Sequence, residues 1–424
     1  MNASVSGTPP RSVLLVAYHF PPLAGSSGIQ RTLRFVQHLP ALGWQPLVLS
    51  ADPRAYERTS DDLLAEVPAG IEVRRAFALD TARHLAWRGR YVGAWARPDR
   101  WVSWRFDAVR QGMALIRRHK PSAIWSTYPI ATAHLIGAEL QRRSGLPWIA
   151  DFRDPMAQDG YPTDPNVWQH YDRIERHAIR TAAVSTFTTP SAAAEYRQRY
   201  PRAAARIELL ENGYDEASFS SADPQALAAA GPLTPGALTL LHSGIVYPSE
   251  RDPTQLMVAL KRLHDAGTIV PGQLKLRFRA AVAEDLLRRL ATEQGVLDYI
   301  EILPSVPYRQ ALEEMLRADG LLVMQADNCN AQIPAKVYEY IRAGRPTLGL
   351  ADPVGDTAGV LRQAGFTHLA KLESAADIAG TMAQFLADLR AGAAPLADAA
   401  AVRGASRTAR SEAFARLLNR VAAQ

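Results

Sequence analysis

With 424 residues, 47% of them apolar and 21% charged, the chain has material for two full cores at roughly 150 residues each and is too polar for a protein embedded in lipid. Its one cysteine, Cys329, excludes an internal disulfide and a cysteine-based metal cluster, and fits a reducing cytosol. The net charge of +6 comes mostly from arginine, and the excess is local.

The opening MNASVSGTPPRS has no basic stretch followed by an apolar core, so it reads as a disordered lead-in rather than a secretion signal. No uncharged apolar run of about 18 residues occurs, which disfavours a membrane span. SVLLVA is a continuous apolar run, the pattern of a strand buried on both faces of a parallel sheet. It ends in YHFPPLAGSSG, and IQRTLRFVQHLPALG then places Ile29, Leu33 and Val36 at helical spacing, closing near Gly43. Gly25 and Gly28 precede that helix, as a loop approaching phosphate requires; a flexible loop with no ligand is the competing reading. There is no GxGxxG and no lysine of the P-loop kind, so dinucleotide binding and ATP hydrolysis are disfavoured.

PLVLSA supplies the next strand. Residues 83–120 then hold ten Arg or Lys against two acids, Asp99 and Asp107, interleaved with Trp87, Tyr91, Trp95, Trp101, Trp104 and Phe106. Basic side chains with interfacial aromatics suit an anionic membrane surface or a nucleic-acid backbone. A solvated surface with tryptophans beneath it explains them equally well. No recognition motif supports nucleic acid. AIWSTY with helical ATAHLIGAELQRRSG, then WIADF, STFTTP and IELLEN, continue the alternation of strand and helix, which implies a parallel, doubly wound sheet. His134 reads as a helix-packing histidine, since nothing nearby orients it. In IADFRDP, Asp151, Arg153 and Asp154 directly follow a buried strand; such charges either pair with each other or face a ligand cleft.

NGYD is a turn signal, and SADPQALAAAGPLTPGA reads as a linker. The pattern restarts with LTLLHSG and runs through LKLRFRA, YIEILP, LLVMQ and PTLGL, with helical segments between, as a second α/β domain. In NCNAQIPAKVYEYIRAGRP, Pro334 suits a first helical turn, and Gly344 with Pro346 ends the helix. Val337 and Ile341 share one face; Lys336 and Glu339, three apart, share another near the amino end. Free N–H groups from about Gln332 to Lys336 would cradle phosphate at the positive end of the helix dipole, with Glu339 accepting from a ribose. An exposed Lys–Glu pair worth about 0.3 kcal/mol is the alternative. SRTARSEAFARLLNRV closes the chain as an amphipathic helix with Phe414, Leu417, Leu418 and Val421 on its apolar side. Two Rossmann-like domains should face a cleft, with ligands beyond the carboxyl ends of the strands.

LLVAYHFPPLAGSSGIQRT, IWSTYPIATAHLIG, PWIADFRDP, ENGYD, HSGIVYPSERDP and IPAKVYEYIRAGRP, in that order across nearly the whole chain, resemble the GT-B glycosyltransferases of the retaining family 4 type. The resemblance implies an α/β GT-B architecture: an acceptor-binding domain over 1–213, a linker over 214–236, a nucleotide-sugar-binding domain over 237–403, and a helix over 404–424 returning to the first domain. It places Glu339 at the ribose of the donor and Arg251 at its diphosphate, near Gly244, with Gln332, Ile333, Pro334 and Lys336 completing the donor site. Lys336 matches a subgroup tied to bacterial surface polysaccharides. The first glutamate of the family motif falls on Ala331, leaving its role to the amides of Gln332 and Ile333 or to Asn328 or Asn330. Gly25, Gly28 and Arg31 fall on the acceptor side. Asp151, Arg153 and Asp154 are the catalytic candidates, and Arg153 stands near where relatives carry a histidine. For Arg251, a surface salt bridge to Glu250 or Asp252 is the alternative.

No Asp-x-Asp occurs, and no His/Asp/Glu cluster has metal-ligand spacing, so no metal or other cofactor is expected. No Ser-His-Asp elbow is visible. The expected activity is retaining transfer from a nucleotide diphosphate sugar to a lipid-linked or otherwise membrane-bound saccharide, in the cytoplasm at the inner face of the membrane, docked through residues 83–120. A nucleotide-sugar epimerase on the same fold and a degenerate, non-catalytic partner subunit are the alternatives.

Overall fold

The computed structural model describes residues 11–26 and 28–423; residues 1–10 of the expected lead-in lie outside the described residues. The chain divides into two compact units, one made of residues up to Glu211 together with those from Arg410 onward, the other of Asn212–Ala409.

The first unit is built on seven parallel strands: β1 (Arg11–Val16), β2 (Trp44–Ala51), β3 (Glu72–Ala76), β4 (Ala123–Thr127), β5 (Trp148–Arg153), β6 (Val184–Phe187) and β7 (Ile207–Leu209). Their order is β3-β2-β1-β4-β5-β6-β7. β1 is flanked by β2 and β4, so the winding reverses there and opens a crevice at the carboxyl ends of β1 and β4. The apolar runs are buried as a two-faced sheet requires: Val13, Leu14, Leu15 and Val16 lose all exposure. The helix Gly28–His38 follows β1 with Ile29, Leu33 and Val36 inward, and Gly43 takes the left-handed conformation after the short turn Leu39–Leu42 that follows it. From the last helix, Phe414, Leu417, Leu418 and Val421 join the core beside Phe35 and Trp125. Each large apolar side chain buried in this way contributes about 1.5–3 kcal/mol.

The second unit has six parallel strands: β8 (Leu238–Ser243), β9 (Leu274–Arg279), β10 (Ile300–Leu303), β11 (Gly320–Gln325), β12 (Thr347–Ala351) and β13 (Leu369–Ala370). The order β10-β9-β8-β11-β12-β13 puts the reversal between β8 and β11. The loop after β8 carries Gly244 and Arg251; the loop after β11 leads to the helix Lys336–Ala343. Residues 214–236, expected as a linker, carry two short helices, Glu216–Ser220 and Pro224–Ala230. Tyr214 and Phe219 are buried in this unit's core. The reason is local: Asp215 and Asp223 each cap one of these helices.

The basic-aromatic segment proves to be divided. Residues 104–119 form a helix whose Trp104 is fully buried, and Trp101 packs on Tyr18. Trp87 and Phe106 remain 79% and 75% exposed, with Trp95 and Tyr91 also outward. Among the described residues no helix is long and apolar enough to cross a membrane.

Candidate active site

In the second unit, β8 delivers His242 fully buried at its carboxyl end. The ring places Nδ1 3.0 Å from the Leu322 carbonyl. Because a carbonyl only accepts, Nδ1 carries the proton, and Nε2 is left to accept from Lys336 Nζ at 3.0 Å. Burial holds both the imidazole and the ammonium well below their ordinary pKa values; Lys336 and then Arg251 add to the effect on His242, and Arg251 adds to it on Lys336. Gly244 follows with φ +121, and a Cβ there would lie 3.0 Å from Lys336 Nζ. Only glycine combines that backbone with room for the lysine tip.

Arg251 donates from Nη1 to the Ile245 carbonyl at 2.9 Å, and its guanidinium lies over the Tyr247 ring at 5.1 Å. Its Nε is buried without a partner among the described residues. Asp252 instead accepts from the amide and hydroxyl of Thr254 at the head of the next helix, so the salt bridge expected as the alternative is not among the contacts of the described residues. Glu339 receives the Tyr308 hydroxyl on Oε1 at 2.7 Å. Burial raises its pKa, against the lowering effects of Tyr308, Arg407 and Lys336.

The helix begins at Lys336, two residues after Pro334, and ends on Gly344 at φ +64. The expected phosphate cradle is narrower than the sequence implied. The Gln332 amide donates to the Cys329 carbonyl at 2.9 Å, and the Ile333 side chain is buried. Val337 and Tyr338 turn their amides back to Pro334 and Ala335. The amides of Ile333, Ala335 and Lys336 have no backbone partner among the described residues. Asn328 and Asn330, offered as replacements for the glutamate missing at Ala331, donate to the Ser249 carbonyl and to Asp352.

In the first unit, Asp151 lies within β5, two residues before its end, with no exposed surface. It accepts two bonds from Arg31, each 2.9 Å, one from Thr127 at 2.8 Å and one from Thr186 at 2.7 Å. Arg31 also donates to the carbonyls of Leu210 and Glu211. Burial raises the Asp151 pKa, but Arg31, the Thr186 hydroxyl and Arg153 outweigh it, and the carboxyl sits below its ordinary value. The four bonds fill the lone-pair directions of the Asp151 carboxylate, and the Arg31 guanidinium is turned to it and to two carbonyls, so both side chains are engaged in this buried pair.

Arg153 does face outward from this pair. A register shift separates it from Asp151, and its φ of +62 is left-handed, a strain of the kind stored at functional sites. Its Nε has no partner among the described residues, and Nη1 reaches the Tyr128 carbonyl only at 3.4 Å. Asp154 is exposed, 3.4 Å from the Thr188 hydroxyl. Gly28 opens its helix against the same group: a Cβ there would lie 2.8 Å from Arg153 Nη1 and 2.5 Å from His19 Nδ1. Ser26 Oγ is 3.1 Å from His19 Nδ1, and Gly25 makes the turn before it at φ +80. Burial, with Arg153 adding to it, lowers the His19 pKa to about 4, so the ring is neutral near pH 7. His134, as expected, packs inside, with Nδ1 2.8 Å from Ser126 Oγ and its ring on Phe152.

His19, His242 and Tyr308 were not singled out in the sequence. His242 lies at the end of β8 and His19 three residues past β1, each ahead of a glycine-containing loop, in HSG and YHFPPLAG, and that position was the available signal. Among the described residues no group of three His, Cys, Asp or Glu could hold a metal ion.

Residues 27–213 match the model of the glycosyl transferase 4-like domain. No curated protein matches the chain. Among solved structures, HepE from Anabaena, in complex with UDP and glucose, is similar over 97% of this chain and 100% of its own, with a TM-score of 0.66 at 14% identity. A glycosyltransferase from Rickettsia africae covers 97% and 98% with a TM-score of 0.67 at 10% identity. WaaG, a glycosyltransferase involved in lipopolysaccharide biosynthesis, covers 96% and 99% with a TM-score of 0.60 at 16% identity. At such identities the likeness establishes the fold, two parallel Rossmann-like sheets of the GT-B kind.

Proposed function

Because this chain is a GT-B-fold protein carrying a glycosyl transferase 4-like domain, we propose that it is a retaining, metal-independent glycosyltransferase. Its donor is a nucleotide diphosphate sugar, and its acceptor a lipid-linked or membrane-associated saccharide in cell-surface polysaccharide synthesis. The observation that carries the reading is the cluster in the second unit: Lys336 under Gly244, Arg251 within electrostatic reach, unpartnered amides at the helix start, and Glu339 one turn on. Two cations that push on each other in a dehydrated setting suit an arriving diphosphate, which supplies the missing negative charge. Binding of UDP and glucose by HepE and the lipopolysaccharide role of WaaG support the donor and product classes.

In the reaction, an acceptor hydroxyl attacks the anomeric carbon on the face from which the diphosphate departs. The carbon–oxygen bond to phosphate breaks, its electron pair goes to the phosphate oxygen, and that oxygen takes the acceptor proton. Charge grows on the leaving diphosphate, and Arg251, Lys336 and the helix amides stabilise it. The test is transfer of radiolabel from UDP-, GDP-, ADP- and dTDP-sugars into a bacterial membrane fraction in the presence of EDTA. One donor class should label the fraction at an EDTA-insensitive rate. No transfer from any of them overturns the reading and is what a non-catalytic partner subunit, which Ala331 would suit, would give.

The exposed Trp87, Trp95 and Phe106, set among arginines, would dock the enzyme to the inner face of an anionic membrane. It should sediment with phosphatidylethanolamine–phosphatidylglycerol vesicles at low salt and be released as salt rises. Protein that stays in the supernatant at low salt contradicts the docking.

A further inference from the structure

The pairing of β8 with β11 ends at Leu241 with Leu321, and the side chain of the next residue takes over where it stops: His242 Nδ1 donates to the Leu322 carbonyl at 3.0 Å. The ring also packs on Phe278 of β9, with 5.9 Å between centroids. It is fully buried, so the imidazole is fixed by contacts to both neighbouring strands. With its proton on Nδ1 the ring has one acceptor left, Nε2, and the sheet sets its direction.

The helix Lys336–Ala343 meets this strand end twice. Lys336 Nζ donates to His242 Nε2 at 3.0 Å, and one turn on the Tyr340 hydroxyl accepts from the Ser243 N–H at 2.9 Å. Gly244 lies against the amine, its own N–H tied to the Arg279 carbonyl at 2.8 Å. A lysine stem is otherwise among the most mobile of side chains, and among the described residues His242 is the one hydrogen-bond partner of this amine. The chemistry of that partner suits a ligand site. A carboxylate would cancel the lysine charge and compete with an arriving phosphate, whereas a neutral ring nitrogen takes one N–H and leaves the charge and the other donors for the ligand. Burial, then Lys336 and Arg251, keep the imidazole neutral near pH 7, so Nε2 stays an acceptor.

We propose that His242 is a positioning residue of the donor site: its Nε2 holds the Lys336 amine at the strand end, aimed at the diphosphate of the nucleotide sugar, a role that rests on the proposed reading of this cluster as the donor site. The experiment is a double-mutant cycle read by calorimetry on the full chain, with UDP, GDP, ADP and dTDP as titrants. His242→Asn keeps a donor for the Leu322 carbonyl, because its amide nitrogen overlays Nδ1, and removes the acceptor for Lys336. It should weaken the diphosphate that the parent binds by about tenfold, the order of one hydrogen bond to a charged group. In a Lys336→Met background the same substitution should change that affinity by less than about twofold, because the two residues act as a unit. A histidine that only supports the fold would cost as much there as in the parent. If His242→Asn fails to fold, His242→Phe, which keeps the ring volume and lacks the acceptor, carries the same cycle. Additive effects of the two substitutions, or diphosphate binding unaltered by the loss of the acceptor, overturn the proposal and leave the donor site standing. No diphosphate bound by the parent overturns the donor site and the role of His242 with it.

Discussion

Glu339→Ala should lower kcat/KM for the nucleotide sugar by roughly 10²- to 10³-fold, the effect of two charge-assisted hydrogen bonds at about 1.5–2 kcal/mol each. Tyr308 occupies Oε1, so the bonds lost are those Oε2 and the free lone pair of Oε1 would make to a ribose diol. The pH profile carries a second signature. Burial raises the Glu339 pKa above that of an ordinary glutamate, so protonation on acidification sets in early and removes acceptor capacity. The acid limb of kcat/KM should therefore lie at higher pH than a solvated glutamate would give, and Glu339→Gln should abolish that limb while keeping the shape of the side chain. An unchanged kcat/KM in Glu339→Ala would rule the residue out of the donor site.

Asp151→Asn should cost about 3–5 kcal/mol of stability, since it strands the Arg31 guanidinium in the core of the first unit. For a unit of this size that is a fall in melting temperature of roughly 10 °C, readable by scanning calorimetry. The pH dependence has a fixed sign. The folded Asp151 pKa is depressed, so its stabilisation is present above the ordinary carboxylate range and is lost as pH falls through the depressed value. The variant should therefore lie below the parent at neutral pH and converge on it in acid. A melting temperature within a degree or two of the parent would mean that the pair contributes little, and would reopen Asp151 as a functional group.

These two carboxylates show where sequence reasoning reached and where it stopped. Glu339 sits on a helix bounded by its own residues, with Gly344 in the left-handed stop that its type favours, so helix and face were both legible. Asp151 was read beside its neighbours Arg153 and Asp154, but its partner is Arg31, 120 positions away. The local pattern holds no trace of that pairing, because it is set by strand order. The same applies to His242 and Lys336, 94 positions apart. β3 was missed because EVRRA is an edge strand, half-exposed and without an apolar run. The helix Trp104–His119 was hidden by its own charge: Trp104, Val109 and Leu115 face the core, while Phe106 on another face pointed to a surface segment. The interleaving of basic and aromatic residues marks residues 83–120 as unusual; only packing separates Trp101 and Trp104, inside, from Trp87 and Trp95, outside.

Calorimetric titration of the parent chain and of Glu339→Ala with UDP, GDP, ADP and dTDP is the most direct examination of the diphosphate grip by the helix Lys336–Ala343. The parent should bind one of the four with an affinity that Glu339→Ala reduces by at least a hundredfold. Equal binding by both proteins, or none of the four bound by the parent, would contradict it.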